Sequence, residues 1–230
     1  MNGSISISIC VPALNEESTI RLVVEDLRLT LSPYLKELEI IIVDDGSSDS
    51  TPRLIETLRR EGRKIKVIYH KKNEGIGVCY RDALTIASGE YFTWFPADNE
   101  NLSEELLRCL PYLRYNSAVT THHRGNDPRP VFRRLLSYIY VWILNKYFNL
   151  NLKYYNGLTL FPVRVLRSFP LISRGFVFTA ETLIRAIKYG CEVKELSFPL
   201  QSRKYGKSKS LTFTSFYQVL KDMIYLFSVK

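Results

Sequence analysis

Carboxylates recur in this chain where apolar runs end. The run Ile40–Val43 stops at Asp44 and Asp45. The run Tyr91–Phe95 stops at Pro96, and Asp98 and Glu100 follow, two residues apart. Carboxylates so placed can accept from a nucleoside's ring N–H or from sugar hydroxyls, or they can hold a hard divalent cation. The competing reading is a polar loop after a strand. A second set is cationic. No acid lies between Glu195 and Asp222, yet Arg203, Lys204, Lys207 and Lys209 fall there. Such a cluster suits phosphate, an anionic membrane or nucleic acid, or else is a solvated loop. His122 and His123 are adjacent, so on a strand they point to opposite faces and do not share a ligand.

These groups need a scaffold, and the first half of the chain supplies one. Ile5, Ile7 and Ile9 alternate with serines, and Cys10 and Val11 complete a strand that Pro12 stops. Asn15 suits a helix cap, and Ile20, Val23, Val24, Leu27 and Leu31 follow helical spacing. The continuous run Ile40–Val43 is typical of a strand covered on both faces. Gly46 then supplies a turn, and Pro52 fits a first helical turn. Residues 66–70 read as a third strand, 73–89 as a loop and helix, and 90–95 as a fourth strand. The order is β-α-β-α-β-α-β, and right-handed crossovers make it a Rossmann-like, mostly parallel sheet. Both acidic strand ends then fall on one edge, where ligands of open α/β folds collect. Gly75 and Gly77 have no third glycine and follow the third strand, which excludes a dinucleotide fingerprint.

The second half is less regular. Leu102–Leu113 reads as a helix broken near Pro111, and Ala118–Thr121 as a short strand. Thr179–Tyr189 reads as a helix, Glu192–Phe198 as a strand, and Leu211–Phe227 as a final helix. Arg133–Phe148 is an aromatic-rich helix for which a core position and a membrane interface both fit; its pattern favours the core. Its apolar run, 135–144, is ten residues long and too short to span a bilayer, which takes ~20.

At 230 residues, with 46% hydrophobic and 24% charged, the chain reads as one globular domain, 1–230, with a nucleotide-binding half (1–100) and an acceptor half (101–230). The four cysteines form no CxxC pair, which argues against a zinc site and for a reduced compartment. The first ten residues lack the basic and apolar regions of a signal peptide. The formal net charge of +9 sits unevenly, and no nucleic-acid recognition motif accompanies it.

Taken in order, VPALNEE (11–17), IIIVDDGSSDST (40–51), NEGIGVCYRDALTIASGEY (73–91), ADNE (97–100), ETLIRAIKYGCEVKELSF (181–198) and RKYGKSK (203–209) resemble a family 2 glycosyltransferase. The likeness is to the dolichyl- and undecaprenyl-phosphate sugar synthases, which have the GT-A nucleotide-diphospho-sugar transferase fold. The resemblance implies an inverting enzyme that moves a hexose from a nucleotide-sugar donor, GDP- or UDP-linked, to a polyprenyl phosphate. It implies a cytoplasmic protein, peripheral on the inner membrane face. Pro12, Leu14, Glu16, Asp44, Asp45, Ala97 and Asp98 would bind the nucleotide. The family's metal motif reads Asp-X-Asp, often with Gln two residues on. Here the matching positions are Pro96, Asp98 and Glu100, so the first aspartate is missing and Glu100 stands at the amide. Asp98 and Glu100 would hold Mg²⁺ or Mn²⁺. Asp98, Arg203 and Lys209 would serve the chemistry, and Arg124, Arg133, Arg134, Ser208 and Glu181 the acceptor, with Glu181 alternatively a plain helix start. Two rivals stand beside this: a family 2 enzyme acting on a glycan or glycolipid hydroxyl, and an inactive nucleotide-sugar-binding module.

Overall fold

The computed structural model describes residues 5–61, 64–99, 101–124, 131–199 and 221–227, with the backbone alone for His123, Arg124 and Pro199. Strand β1 (Ser6–Ala13) leads to α1 (Ile20–Leu31), β2 (Glu37–Asp44), α2 (Thr51–Arg60), β3 (Ile65–Tyr69), α3 (Ile76–Ile86) and β4 (Tyr91–Trp94). After α4 (Ser103–Cys109) come β5 (Ser117–Arg124), α5 (Val131–Phe148), β6 (Thr159–Pro162), α6 (Val163–Leu166), α7 (Phe178–Lys188) and β7 (Glu192–Pro199). Residues 221–227 are helical.

The seven strands form one sheet in the order β3-β2-β1-β4-β6-β5-β7. Strands β3, β2, β1 and β4 pair in parallel. Strand β6 runs antiparallel to both β4 and β5, so β5 returns to the direction of β4, and β7 pairs with β5 in parallel. Strand alternation divides the core in two. Ile7, Ile9, Val11, Ile40 and Ile42 face one side and pack with Val23 and Leu27 of α1, Ile55 of α2 and Leu106 of α4. Cys10, Ile41 and Val43 face the other and pack with Cys79 and Tyr80 of α3, Leu144 of α5 and Phe178 of α7. Both faces of the Ile40–Val43 run are therefore covered, each large aliphatic side chain contributing ~1.5–3 kcal/mol.

The break expected near Pro111 is present: α4 ends at Cys109, and Leu110–Tyr112 tightens into a 3₁₀ turn at Pro111, which has no N–H to continue the helix. Two expectations change. β6 and α6 replace a stretch with no expected element. β6 is only four residues long, and Gly157 just before it lets the chain pass Thr121, whose carbonyl oxygen lies 1.7 Å from where a Cβ would sit. The core position favoured for α5 does not hold: Leu144 is its one buried residue, while Phe132 and Tyr138 are 69% exposed and Trp142 53%.

Candidate active site

Strand β1 ends beside β2, with Ala13 opposite Asp44, and β4 joins from the other side, with Cys10 opposite Trp94. The Phe95 N–H bonds the Cys10 carbonyl (2.8 Å), which carries the chain over the sheet edge into Ala97 and Asp98. The carboxyl ends of β1, β2 and β4 thus bring Pro12, Leu14, Glu16, Asp44, Asp45, Ala97 and Asp98 to one edge. Ala97 is buried, while Pro12, Leu14, Glu16 and Asp98 are half-buried. Asn99 turns the chain after Asp98 with φ +60°.

The loops after β1 and β2 are laced together by polar pairs. Asn15 is not a helix cap: it takes φ +55°, its N–H donates to Ser47 Oγ (2.9 Å) and its Oδ1 accepts from the Ser48 N–H (2.8 Å). The Glu16 N–H donates to Thr51 Oγ1 (2.8 Å), and Glu17 Oε2 accepts from the Ser50 N–H (2.9 Å). The Ser47 N–H donates to Asp44 Oδ1 (3.1 Å), which closes a turn after β2.

Asp45 is a hub inside the protein. Its Oδ1 accepts from the Glu74 N–H (2.9 Å) and meets His70 Nδ1 at 2.7 Å, and its Oδ2 accepts from the Gly75 N–H (3.0 Å). The other ring nitrogen of His70 lies 3.1 Å from Asp82 Oδ2. The carboxylate expected to receive the nucleoside is thereby committed to fixing the 70–75 loop. Sequence reading passed over His70 and Asp82. The signal for His70 was its place just past β3, whose neighbour in the sheet is the strand ending in Asp44.

Among the described residues, Asp45, His70 and Cys79 bring potential ligand atoms within 4.8 Å of one another. They fit a hard cation poorly. Burial, and then the Asp45 carboxylate, push the Cys79 thiol far above its ordinary pKa, and both ring nitrogens of His70 already face carboxylates.

Glu181 is corrected as an acceptor contact. It is fully buried, accepts from the backbone N–H groups of Ile172 (3.1 Å) and Ser173 (2.8 Å), and pairs with Arg185 Nε at 3.0 Å. It pins a loop that packs on the start of α3, where a Cβ on Gly75 or Gly77 would lie 2.5 Å or 2.2 Å from a carbonyl oxygen of Arg174 or Ser173. Arg174 also pairs with Glu74. Glu181 therefore supports the Asp45 hub from a distance.

Because β5 runs parallel to β4, the backbone of Arg124 lies at the same edge as Asp98. In α5, Arg133 is half-exposed and Arg134 exposed. Glu100, Arg203, Ser208 and Lys209 lie outside the described residues.

The sequence model described as Glycosyl transferase family 2 matches residues 8–176. The chain is 26% identical over 116 residues to an "Uncharacterized glycosyltransferase" of Haemophilus influenzae, covering 50% of this chain and 45% of that protein. It is 29% identical over 133 residues to undecaprenyl-phosphate 4-deoxy-4-formamido-L-arabinose transferase of Pectobacterium carotovorum, covering 57% of this chain and 41% of that protein. The chain thus spans less than half the length of these curated relatives. Among solved structures it is similar to glucosyl-3-phosphoglycerate synthase from Mycobacterium tuberculosis in complex with uridine diphosphate, with a TM-score of 0.72, 18% identity and coverage of 99% of this chain and 82% of that one. The same synthase with Mn²⁺, UDP-glucose and phosphoglyceric acid also matches at a TM-score of 0.72, with 18% identity and coverage of 99% and 81%. At this identity the likeness shows the fold, the GT-A arrangement.

Proposed function

Because this chain belongs to glycosyl transferase family 2, we propose that it is an inverting hexosyltransferase that uses a UDP- or GDP-linked sugar and a polyprenyl phosphate acceptor at the cytosolic face of a membrane. The observation that carries this reading is the meeting of β1, β2, β4 and β5 at one sheet edge, which sets the polar groups of the β1 and β2 loops on the same edge as Asp98 and the Arg124 backbone. The relative named as an undecaprenyl-phosphate transferase supports the acceptor class.

The base and ribose would lie along Pro12, Leu14, Glu16 and Asp44, with Ala97 closing the floor. Asp98 and Glu100 would hold Mg²⁺ or Mn²⁺, and the bound cation would neutralise charge on the departing diphosphate. One or two carboxylates suffice for such a cation when the diphosphate and waters complete its shell, so the loss of an aspartate at Pro96 leaves a workable donor set. Arg203, Ser208 and Lys209 would close over the donor from the basic loop. Arg124, with Arg133 or Arg134, would hold the acceptor phosphate by paired hydrogen bonds. One of its oxygens attacks the anomeric carbon as the bond to the nucleoside diphosphate breaks, with inversion, through an oxocarbenium-like transition state.

The nature of the acceptor follows from proton chemistry. A lipid phosphate is an anion near neutral pH and attacks without a base, whereas a sugar hydroxyl needs one. The carboxylates described at this edge, Glu16, Asp44 and Asp98, are assigned in this reading to the donor and its cation. The test offers the enzyme its donor and Mn²⁺ with either a short polyprenyl phosphate or the matching free alcohol. Transfer to the phosphate alone is expected. Equal transfer, or transfer to the alcohol alone, rejects the phosphate in favour of a hydroxyl acceptor. Nucleotide-sugar binding without turnover on any acceptor leaves a binding module.

A further inference from the structure

At the opposite edge of the sheet, where the parallel strands begin, lies a cleft of about 1340 Å³. Ile5 before β1, Leu35 before β2, Gly89–Tyr91 at the start of β4 and Pro162 at the end of β6 form its floor. The eight residues of β1 separate it from the candidate active site by ~26 Å, at about 3.3 Å per residue. It is therefore a different place from the donor site.

The lining combines two chemistries. Leu107, Leu110, Pro111 and Leu113 make an apolar wall, while Arg114, Arg164 and Arg167 line it with cations, against a single carboxylate, Glu90. Among the described residues none of these arginines makes an ion pair. They are held by neutral partners. Arg114 Nη1 donates to the Pro111 and Leu113 carbonyls (3.0 and 2.8 Å), and Arg167 Nη2 to those of Leu84 and Ala87 (3.0 and 2.7 Å). Arg164 lies 3.6 Å over the Tyr115 ring and donates to Asn116 Oδ1 (3.0 Å). Carbonyls and rings orient a guanidinium without cancelling its charge, and each guanidinium has five N–H donors. The cleft is thus an apolar trough with pre-oriented, uncompensated cations.

We propose that this cleft binds a single amphiphilic anion, a molecule with an apolar chain or ring body and a phosphate, carboxylate or sulfonate head. The body lies along the leucines and Pro111, and the head takes two donors from an arginine fork. The volume exceeds the roughly 300–1,000 Å³ of most small-ligand pockets, which favours an extended body over a compact metabolite.

Decyl phosphate, kept below its aggregation concentration, is a suitable probe in titration calorimetry, with decanol and inorganic phosphate as its two halves. The wild-type protein should bind decyl phosphate at least ten-fold more tightly than either half. Arg164→Gln combined with Arg114→Gln should weaken that binding about ten-fold and leave decanol binding unchanged. Tyr115→Ala, at a side chain 80% exposed and so safe for folding, should weaken it severalfold. Saturation with UDP and Mn²⁺ should not displace the probe, which separates this proposal from the transferase reading. Undiminished affinity in both variants, displacement by UDP, inorganic phosphate binding as tightly as decyl phosphate, or binding only to phosphatidylglycerol vesicles would each overturn it.

Discussion

Asp98 is the half-buried carboxylate that follows the end of β4 on the carboxyl edge of the sheet, where the donor is proposed to bind. Asp98→Ala should abolish turnover and remove the metal dependence of UDP binding, whereas Glu100→Gln, which recreates the family's amide, should retain activity. Full activity of Asp98→Ala in excess chelator would refute the assignment. Glu105 offers a second test, of stability. It is 7% exposed, and burial raises its carboxyl to about 7, partly offset by a hydrogen bond from Thr121, while its Oε2 has no hydrogen-bond partner. In the unfolded chain a glutamate titrates near ~4.3. A folded value raised above the unfolded one gives stability that is whole at low pH and lost as pH rises through the folded value. Between pH 5 and pH 8 the loss should be on the order of 3 kcal/mol, at ~1.4 kcal/mol per unit. Glu105→Gln should remove that slope, lying within about 1 kcal/mol of wild type at pH 5 and well above it at pH 8 in urea denaturation. Parallel curves at the two pH values would sink this account.

At the scale of elements, the site depends on tight turns held against one another. Gly46, between β2 and α2, takes φ +80°, and a Cβ there would lie 2.7 Å from the backbone of Lys72. The Asp44–Ser47 turn and the loop after β3 can therefore touch only through a glycine. Gly46→Ala should cost about 1–3 kcal/mol from strain and contact together. It should also weaken UDP binding, because the displaced turn carries Asp44. A thermal midpoint and UDP affinity both equal to wild type would show that the close approach does not matter.

At the scale of the molecule, no helix among the described residues is long and apolar enough to cross a membrane. Helix α5 instead exposes Phe132, Tyr138, Ile139 and Trp142. It follows β5, whose end lies on the nucleotide edge, so an aromatic face accompanies the place proposed for a lipid phosphate. Aromatics beside Arg133, Arg134 and Lys146 suit an interfacial helix. The protein should float with anionic liposomes at low salt and less at high salt. Phe132→Ser with Trp142→Ser should cut the floating fraction severalfold without lowering UDP binding. Protein that stays at the bottom of the gradient at low salt would refute membrane docking by this helix.

The sequence by itself determined the parallel half of the sheet. Each of its strands and helices carries its own apolar period, and Gly46 and Gly89 mark where runs stop, all of which is local; Pro12 does not stop β1, which runs on through it, paired with Val43, to Ala13. The acidic strand ends were legible for the same reason, since parallel strands share one carboxyl edge. Only the tertiary structure decided what those carboxylates touch. Asp45 faces inward because β3 lies beside β2 and brings His70 and the Glu74 N–H to it, a pairing across 25 to 29 residues that no local pattern encodes. Glu181 likewise reads as an open acid at a helix start, yet it is buried because the 171–174 loop folds over it and supplies N–H donors. The four-residue β6 was invisible because so short a run has no period of its own; it is a strand because β4 and β5 leave a gap that it fills. The same long-range packing left α5 with one buried residue, since an aromatic-rich run encodes apolarity but not whether protein or something else will cover it.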